Sequence, residues 1–208
     1  GANAVPQYDM DSVQVLKGPQ GTLFGRNTVG GAILTYPAAP TNDVEGYVQL
    51  AGTDYDGRFA QTAINLPAID DVLAFRLAAQ YQRRNGYTKN IGEGNDQDEL
   101  DSKSARLSVL FEPTDAIKNL TVIDYHNSDT AATGTVLDHA SPIPGPAANS
   151  FFRFDILADE QAARGPRKVD INTPNSLEAS ELFGISNRTD VELELSLIHI
   201  SEPTRQDR

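Results

Sequence analysis

The chain has 208 residues, enough for one or two ordinary domains, and contains neither cysteine nor tryptophan. Disulfides and cysteine-based zinc sites are therefore excluded. A formal net charge of −12, with no Lys/Arg cluster interleaved with aromatics, argues against a nucleic-acid partner. No apolar run nears the roughly 20 residues of a membrane-spanning helix. The opening GANAVPQYDM has neither the basic start nor the apolar centre of a signal peptide, nor an initiating methionine, and is expected to be internal to a longer gene.

In chain order, the first feature is VLKGPQGTLFGRNTVGG, residues 15–31, with five glycines between the strand-like SVQVL and AILTY. A phosphate-cradling loop needs Gly-Lys-Ser/Thr after a glycine and four residues, and G-x-G-x-x-G needs a strand before it and a helix after. Here Gly25 is followed by Arg26 and Asn27, and no helical period follows. The glycines predict tight turns that need positive φ or close backbone approach.

Beyond residue 43 the dominant period is two. VEGYVQLAG alternates Val44, Gly46, Val48 and Leu50 with Glu45, Tyr47 and Gln49. RFAQTAINL sets Ala60, Thr62, Ile64 and Leu66 against Gln61 and Asn65. VLAFRLAAQYQRR places Leu73, Phe75, Leu77, Ala79 and Tyr81 opposite Arg76, Gln80 and Gln82, and SKSARLSVLFE places Leu107, Val109 and Phe111 opposite Ser104, Arg106 and Ser108. NLTVIDYHN and SNRTDVELE follow the pattern more loosely. Six such segments predict half-buried antiparallel strands.

The connections are uneven. TDYDG, PAIDD and PTDAIKN are short, NGYTKNIGEGNDQDELD is long, and the stretch from about Ser128 to Phe183, with its Pro-rich SPIPGPAANS, is longer still. Apart from the first connection, the long ones fall at one end of the sheet, as in a barrel with short periplasmic turns and long extracellular loops. Alternation alone fits a soluble sandwich as well. Strands of nine to thirteen residues, with Tyr47, Tyr81, Tyr87 and Tyr125 near their ends, favour spanning strands.

Other chemistry is sparse. His126 shares a face with Asp124, and His139 lies in the long loop; both read as solvated polar positions. The acidic run Glu93, Asp96, Asp98, Glu99 and Asp101 lacks the glycine and residue order of a calcium loop and reads as an exposed acidic loop. No nucleophile–base arrangement or carboxylate pair stands out. No catalytic residue, metal site or cofactor is expected.

DMDSVQVLKGPQGTLFGRNTVGGAILTYPAAP, taken whole, resembles the end of the plug domain of TonB-dependent outer-membrane receptors. The family pattern is an acidic lead-in, V-x-V-L-(K/R)-G-P-x-G, then an aromatic or Leu before G-x-x-x-x-G-G-x-I. Val13, Val15, Leu16, Lys17, Gly18, Pro19 and Gly21 match the first half; Phe24, Gly25, Arg26, Asn27, Gly30, Gly31, Ala32 and Ile33 match the second. AILTYPAAP departs from the family by lacking its basic exit. The plug-motif residues Lys17, Gly18, Pro19, Gly21, Gly25, Arg26, Gly30 and Gly31 are then structural. Arg26 either reaches an acidic partner on the inner wall and helps seat the plug or is a solvated lumen charge.

The resemblance implies an all-β antiparallel transmembrane barrel, truncated, preceded by the C-terminal part of an α/β plug. Residues 1–40 would be plug, 41–194 about six barrel strands with long extracellular loops, and 195–208 a non-native tail, since LSLIHISEPTR resembles a translated sequencing adapter. The plug part should lie against the concave face of the sheet. Leu73, Phe75, Leu77, Leu107, Val109 and Phe111 should point to lipid, and Arg76, Gln80, Arg106 and Ser108 to the lumen. The implied function is energised uptake of a scarce bulky nutrient across the outer membrane of a Gram-negative bacterium. A ferric siderophore is the most frequent ligand class, with corrinoids and oligosaccharides as rivals. The implied partners are outer-membrane lipid, that small-molecule ligand and the energy-coupling protein TonB, which would act through a missing N-terminal segment. The alternative from another class is a secreted soluble β-sandwich adhesin or binding module.

Overall fold

The structure, a computed structural model, describes residues 6–25, 28–138, 140, 154–172 and 177–192. It begins with a hairpin of β1 (Met10–Lys17) and β2 (Gly31–Pro37), antiparallel and in register from Lys17↔Gly31 to Met10↔Pro37. Between them lies a single helical turn, α1 (Gly21–Phe24), where tight turns alone were expected. The need for glycine is plainest at Gly31. Its φ is +133°, and a Cβ there would collide with the carbonyl oxygen of Leu16.

All six period-two segments are strands of one antiparallel sheet: β3 (Glu45–Thr53), β4 (Gly57–Ile69), β5 (Leu73–Arg84), β7 (Leu100–Thr114), β8 (Ile117–Ala131) and β10 (Leu177–Val191). They run in the order β3-β4-β5-β7-β8-β10, an up-and-down meander. Strands of 15 residues in β7, β8 and β10 far exceed the usual five or six and suit tilted spanning strands. One end of the sheet carries the short turns at residues 70–72 and 115–116. The other carries the turn at residues 54–56 and both long connections, 85–99 and 132–176. At the short one of these, Tyr55 and Asp56 take φ of +62° and +53°, and Gly57 N donates to the Asp54 carbonyl at 3.2 Å. That geometry fits the primed type I turn that matches strand twist.

The described parts of the long connections carry more regular structure than their composition suggested. β10 begins at Leu177, several residues before the expected start, while Leu193 and Glu194 lie outside the described residues, as do the Pro-rich residues 141–150 and the tail 195–208. An unexpected helix, α2 (Phe154–Arg164), leads into β9 (Lys168–Val169), which pairs in parallel with β6 (Lys89–Asn90) of the other long loop. Asn90 locks that junction: its Nδ2 donates to the Ile171 carbonyl at 3.0 Å, and its Oδ1 accepts from Ile171 N at 3.0 Å. The acidic run is not simply solvated. Asp98 is buried and accepts from Thr88 Oγ1 at 2.6 Å and Gly134 N at 3.1 Å. Asp96, exposed, accepts from Asn90 N at 2.9 Å. These acids organise loop backbone that would otherwise lack partners.

The two faces of the sheet decide between sandwich and barrel. Asn65, Arg76, Ser104, Arg106 and Ser108 are buried on one face. On the other, Leu77 (51%), Ile185 (67%) and Phe183 (72%) are exposed. Leu73, Phe75, Leu107 and Val109 are half-buried in the same outward rows, and Phe111 is exposed there. Gln80 is half-buried beside the buried polar set. A water-soluble sandwich buries its apolar faces against each other. Among the described residues no second sheet covers this apolar face, and the polarity is that of a barrel wall. Polar outward side chains near the short-turn end satisfy one another: Asn119 Nδ2 donates to Thr189 Oγ1 and Asn187 Nδ2 to Thr121 Oγ1, both at 2.7 Å.

Candidate functional site: a polar seat for the N-terminal segment

Alternation puts Arg76 of β5 and Arg106 of β7 on the buried face, with small neighbours (Ala63, Ala74, Ala78) that leave room for another chain segment. Tyr8 and Asp9, just before β1, occupy that room. Tyr8 packs with Ala63 and Ala78, the buried apolar cluster of the described chain.

Asp9 takes φ of +50°, a conformation that Asp tolerates better than most residues. Its carbonyl accepts from Ala38 N at 2.9 Å, tying the start of β1 to the exit of β2. Its carboxylate meets Arg76 in a two-pronged pair: Nε donates to Oδ2 at 2.8 Å and Nη2 to Oδ1 at 2.6 Å. Both side chains are less than a tenth exposed, at 9% for Arg76 and 3% for Asp9. Arg76 Nη1 also reaches Glu45 Oε1 at 3.2 Å, and Tyr47 OH lies 3.4 Å from Asp9 Oδ1. Gln61 donates to Tyr47 OH at 2.7 Å and accepts from Gln80 at 3.1 Å, so the polar row continues across three strands. A planar guanidinium meeting a carboxylate at two points fixes orientation as well as attraction.

Arg106 forms a second anchor. Its Nε donates to Asp124 Oδ1 at 2.6 Å and its Nη1 to the Tyr8 carbonyl at 3.2 Å, while the guanidinium carbon sits 4.7 Å from the Tyr8 ring centroid. Burial pushes the Tyr8 hydroxyl up to about 12, partly opposed by the nearby Arg106 charge. Among the described residues that hydroxyl has no hydrogen-bond partner. Asn65, fully buried on β4, holds the linker into β3. Its Oδ1 accepts from Thr41 N at 3.0 Å, and its Nδ2 donates to the carbonyls of Thr41 at 2.8 Å and Asp43 at 2.6 Å.

The motif residues lie elsewhere. Lys17 ends β1, exposed; Gly18 (φ +83°) and Pro19 turn the chain; Gly21 opens α1 and Gly25 (φ +77°) follows it; Gly30 and Gly31 lead into β2. Arg26 falls outside the described residues, and with it both readings, seating pair and lumen charge. The observed pairs run the other way, with the acid on the N-terminal segment and the bases on the sheet. Asp9 was visible only as an acidic lead-in, and Arg76 and Arg106 as polar interruptions of apolar alternation. His126 bonds Ser104 across β7–β8 at 2.9 Å, and His139 is outside the described residues. Among the described residues no group of three or more His, Asp and Glu could hold a metal ion.

No family model matches the chain. The pesticin receptor of Yersinia pestis is 30% identical over 88 residues, 42% of this chain and 13% of that receptor. The probable TonB-dependent siderophore receptor PirA of Acinetobacter baumannii is 28% identical over 88 residues, 39% of this chain and 12% of that protein. The crystal structure of the ferric yersiniabactin uptake receptor FyuA from Yersinia pestis superposes with a TM-score of 0.56 at 22% identity, covering 59% of this chain and 20% of that one. The open form of the ferric-catecholate import receptor Fiu from E. coli K12 gives 0.57 at 21% identity, covering 68% and 21%. The chain thus spans about an eighth of the length of these curated relatives. In sequence it is similar to part of TonB-dependent receptors, and its open six-stranded sheet has the fold of a section of their barrel wall.

Proposed function

We propose that the chain is a section of a TonB-dependent outer-membrane receptor, with residues up to about 40 forming the end of the plug and the sheet forming part of the barrel. Its function is uptake of a ferric siderophore across the outer membrane, a transport activity and not a catalytic one. One observation carries this: the sheet buries its polar face under Tyr8–Asp9 and exposes its apolar face. That polarity supports a wall with lipid outside and an occupied lumen inside.

The seat gives the plug reading a physical role. A pull on the chain ahead of Tyr8, the direction in which TonB acts in this family, loads the Asp9–Arg76 and Tyr8–Arg106 contacts before it reaches the hairpin. Separating a buried charge pair leaves a charge away from water without its partner, which is strongly unfavourable. The test is uptake of radiolabelled iron by the complete gene, expressed in an outer-membrane-competent strain that lacks its own ferric-siderophore receptors. TonB-dependent accumulation from at least one ferric siderophore is the expected result. A folded, membrane-inserted product that imports none of a panel of siderophores, but does import a corrinoid or oligosaccharide, replaces the ligand class. A soluble, secreted product removes the reading.

A further inference from the structure

Just beyond β5, residues 85 and 86 form the only Asn-Gly pair in the sequence, and a contact requires each half of it. A Cβ on Gly86 would collide with the Gln97 carbonyl oxygen, so the backbone crossing there admits no side chain. Asn85 is exposed; its Nδ2 donates to Asp56 Oδ2 at 3.0 Å, and its backbone N donates to the Tyr55 carbonyl at 3.0 Å. These two bonds fasten the turn at residues 54–56 to the first long loop. From the second long loop, Arg167 donates to Tyr55 OH at 2.5 Å, and the Tyr55 and Tyr87 rings lie 6.2 Å apart. All three connections at this end of the sheet therefore meet around Asn85.

Asparagine is among the thermolabile side chains, and a glycine after it leaves the next backbone nitrogen unshielded. Every other asparagine in the sequence precedes a residue with a side chain. Among the described residues Gly86 N donates no hydrogen bond, whereas Gly57 N, in the neighbouring Asp56–Gly57 pair, is held by the Asp54 carbonyl at 3.2 Å. The one unshielded attacking nitrogen beside an asparagine is thus also an unheld one.

We propose that Asn85 is a site of spontaneous deamidation, and that its conversion unfastens the turn at 54–56 from the loop at 85–99. Gly86 N attacks Asn85 Cγ; the N–Cγ bond forms, the Cγ–Nδ2 bond breaks, and Nδ2 leaves as ammonia with the proton that Gly86 N gave up. Water then opens the five-membered imide at either carbonyl, leaving aspartate or isoaspartate, and nothing is oxidised or reduced. Either product sets a carboxylate against that of Asp56, where a donor stood before, and like charges at that range repel. Isoaspartate also lengthens the backbone ahead of Gly86 by one carbon. That shifts the crossing over Gln97, whose N donates to the Thr88 carbonyl at 2.8 Å. The chemistry needs no ligand and holds whatever the chain transports.

The test warms the purified full-length protein in mildly alkaline buffer and follows it by peptide mass spectrometry, with isoaspartate read by isoaspartyl methyltransferase labelling. The peptide holding Asn85 should gain aspartate and isoaspartate severalfold faster than those holding Asn119 or Asn127. Hydrogen exchange at residues 54–57 and 85–90 should rise in step. Asn85→Gln, which would have to close a larger ring, should lose the modification. In unaged protein Asn85→Asp should raise the same exchange, and adding Asp56→Asn, which sets a donor opposite the new acceptor, should lower it again. A cooperative melt like the parent's confirms that each variant is folded. If Asn85 stays as intact as Asn127 over the same interval, the site is overturned. If folded Asn85→Asp exchanges like the parent at residues 54–57, the unfastening is overturned.

Discussion

The glycine-rich connection of residues 17–31 and the Tyr8–Asp9 seat lie at opposite ends of β1, and they contrast in nearly every respect. The connection has the strongest sequence signature in the chain, yet Lys17, Pro19, Gly21 and Gly25 are exposed and a Cβ added at Gly18, Gly21, Gly25 or Gly30 would touch nothing within 4 Å. The seat has almost no signature, yet three charged side chains, Asp9, Arg76 and Arg106, are buried in it. A recognisable motif here records backbone conformation, whereas docking between segments is written in ordinary side chains whose partners are far away in sequence.

The comparison breaks most visibly if the seat is not what holds the N-terminal segment. In the full-length protein, Asp9→Ala should cost about 3–5 kcal/mol in a detergent melt, because it leaves Arg76 buried without its main partner. Replacing both, Asp9→Leu with Arg76→Met, should recover most of that loss. If Asp9→Ala melts like the parent and residues 8–17 keep their hydrogen-exchange protection, the ion pair does not hold the segment.

The linker offers a neutral counterpart. Asn65→Leu removes three bonds from a buried side chain to the linker backbone at Thr41 and Asp43 and should cost about 1 kcal/mol or somewhat more, with exchange rising at residues 41–43. Gly31→Ala tests the other side of the contrast. The alanine meets the Leu16 carbonyl in a left-handed conformation, at a cost of about 1–3 kcal/mol and with loss of β1–β2 protection. Gly18→Ala meets no atoms, so it should register only the smaller penalty of its positive φ.

The smallest effect is at Tyr8. Tyr8→Phe keeps the ring under Arg106 and removes a hydroxyl that has no partner, so it should be neutral or slightly stabilising at pH 7. Its signature is in the pH profile. The Tyr8 hydroxyl keeps its proton in the folded state up to about 12, against an ordinary value of 10.0, so the unfolded chain binds fewer protons between those limits. Stability of the parent should therefore be unaffected by this group below pH 10 and fall as pH rises toward 12; Tyr8→Phe should lack that component. Identical alkaline profiles would falsify the buried-hydroxyl assignment.

How much was legible follows the same division. β3, β4, β5, β7 and β8 were readable because outward apolar and inward polar positions alternate within their middles, as at Leu73–Arg84. The first half of β10 was not. In Leu177–Glu181 both faces carry polar side chains, Glu178 and Ser180 on one and Glu181 on the other, so the period disappears where both sides meet water. α2 was missed because FDILADEQAAR carries little apolar periodicity to distinguish a helix from a polar loop. The seat could not be read because Asp9 and Arg76 are 67 positions apart and Tyr8 and Arg106 are 98 apart. The turns at Gly18 and Gly31 were readable because a backbone constraint is local.

The junction of β6 with β9 joins two loops whose bonded residues, Asn90 and Ile171, are 81 positions apart. If, as proposed, the loops enclose a solute above the lumen, each on its own would lose conformational freedom. Because Asn90 grips both backbone groups of Ile171, and Lys89 and Ile91 continue the bonding to Arg167 and Val169, that freedom is surrendered jointly. Ordering one loop orders its neighbour, and the entropic penalty is incurred once for the pair. A residue inserted between Asn90 and Gln97 in the first loop would thus loosen the second without touching it, and the two tracts would tolerate change only in concert.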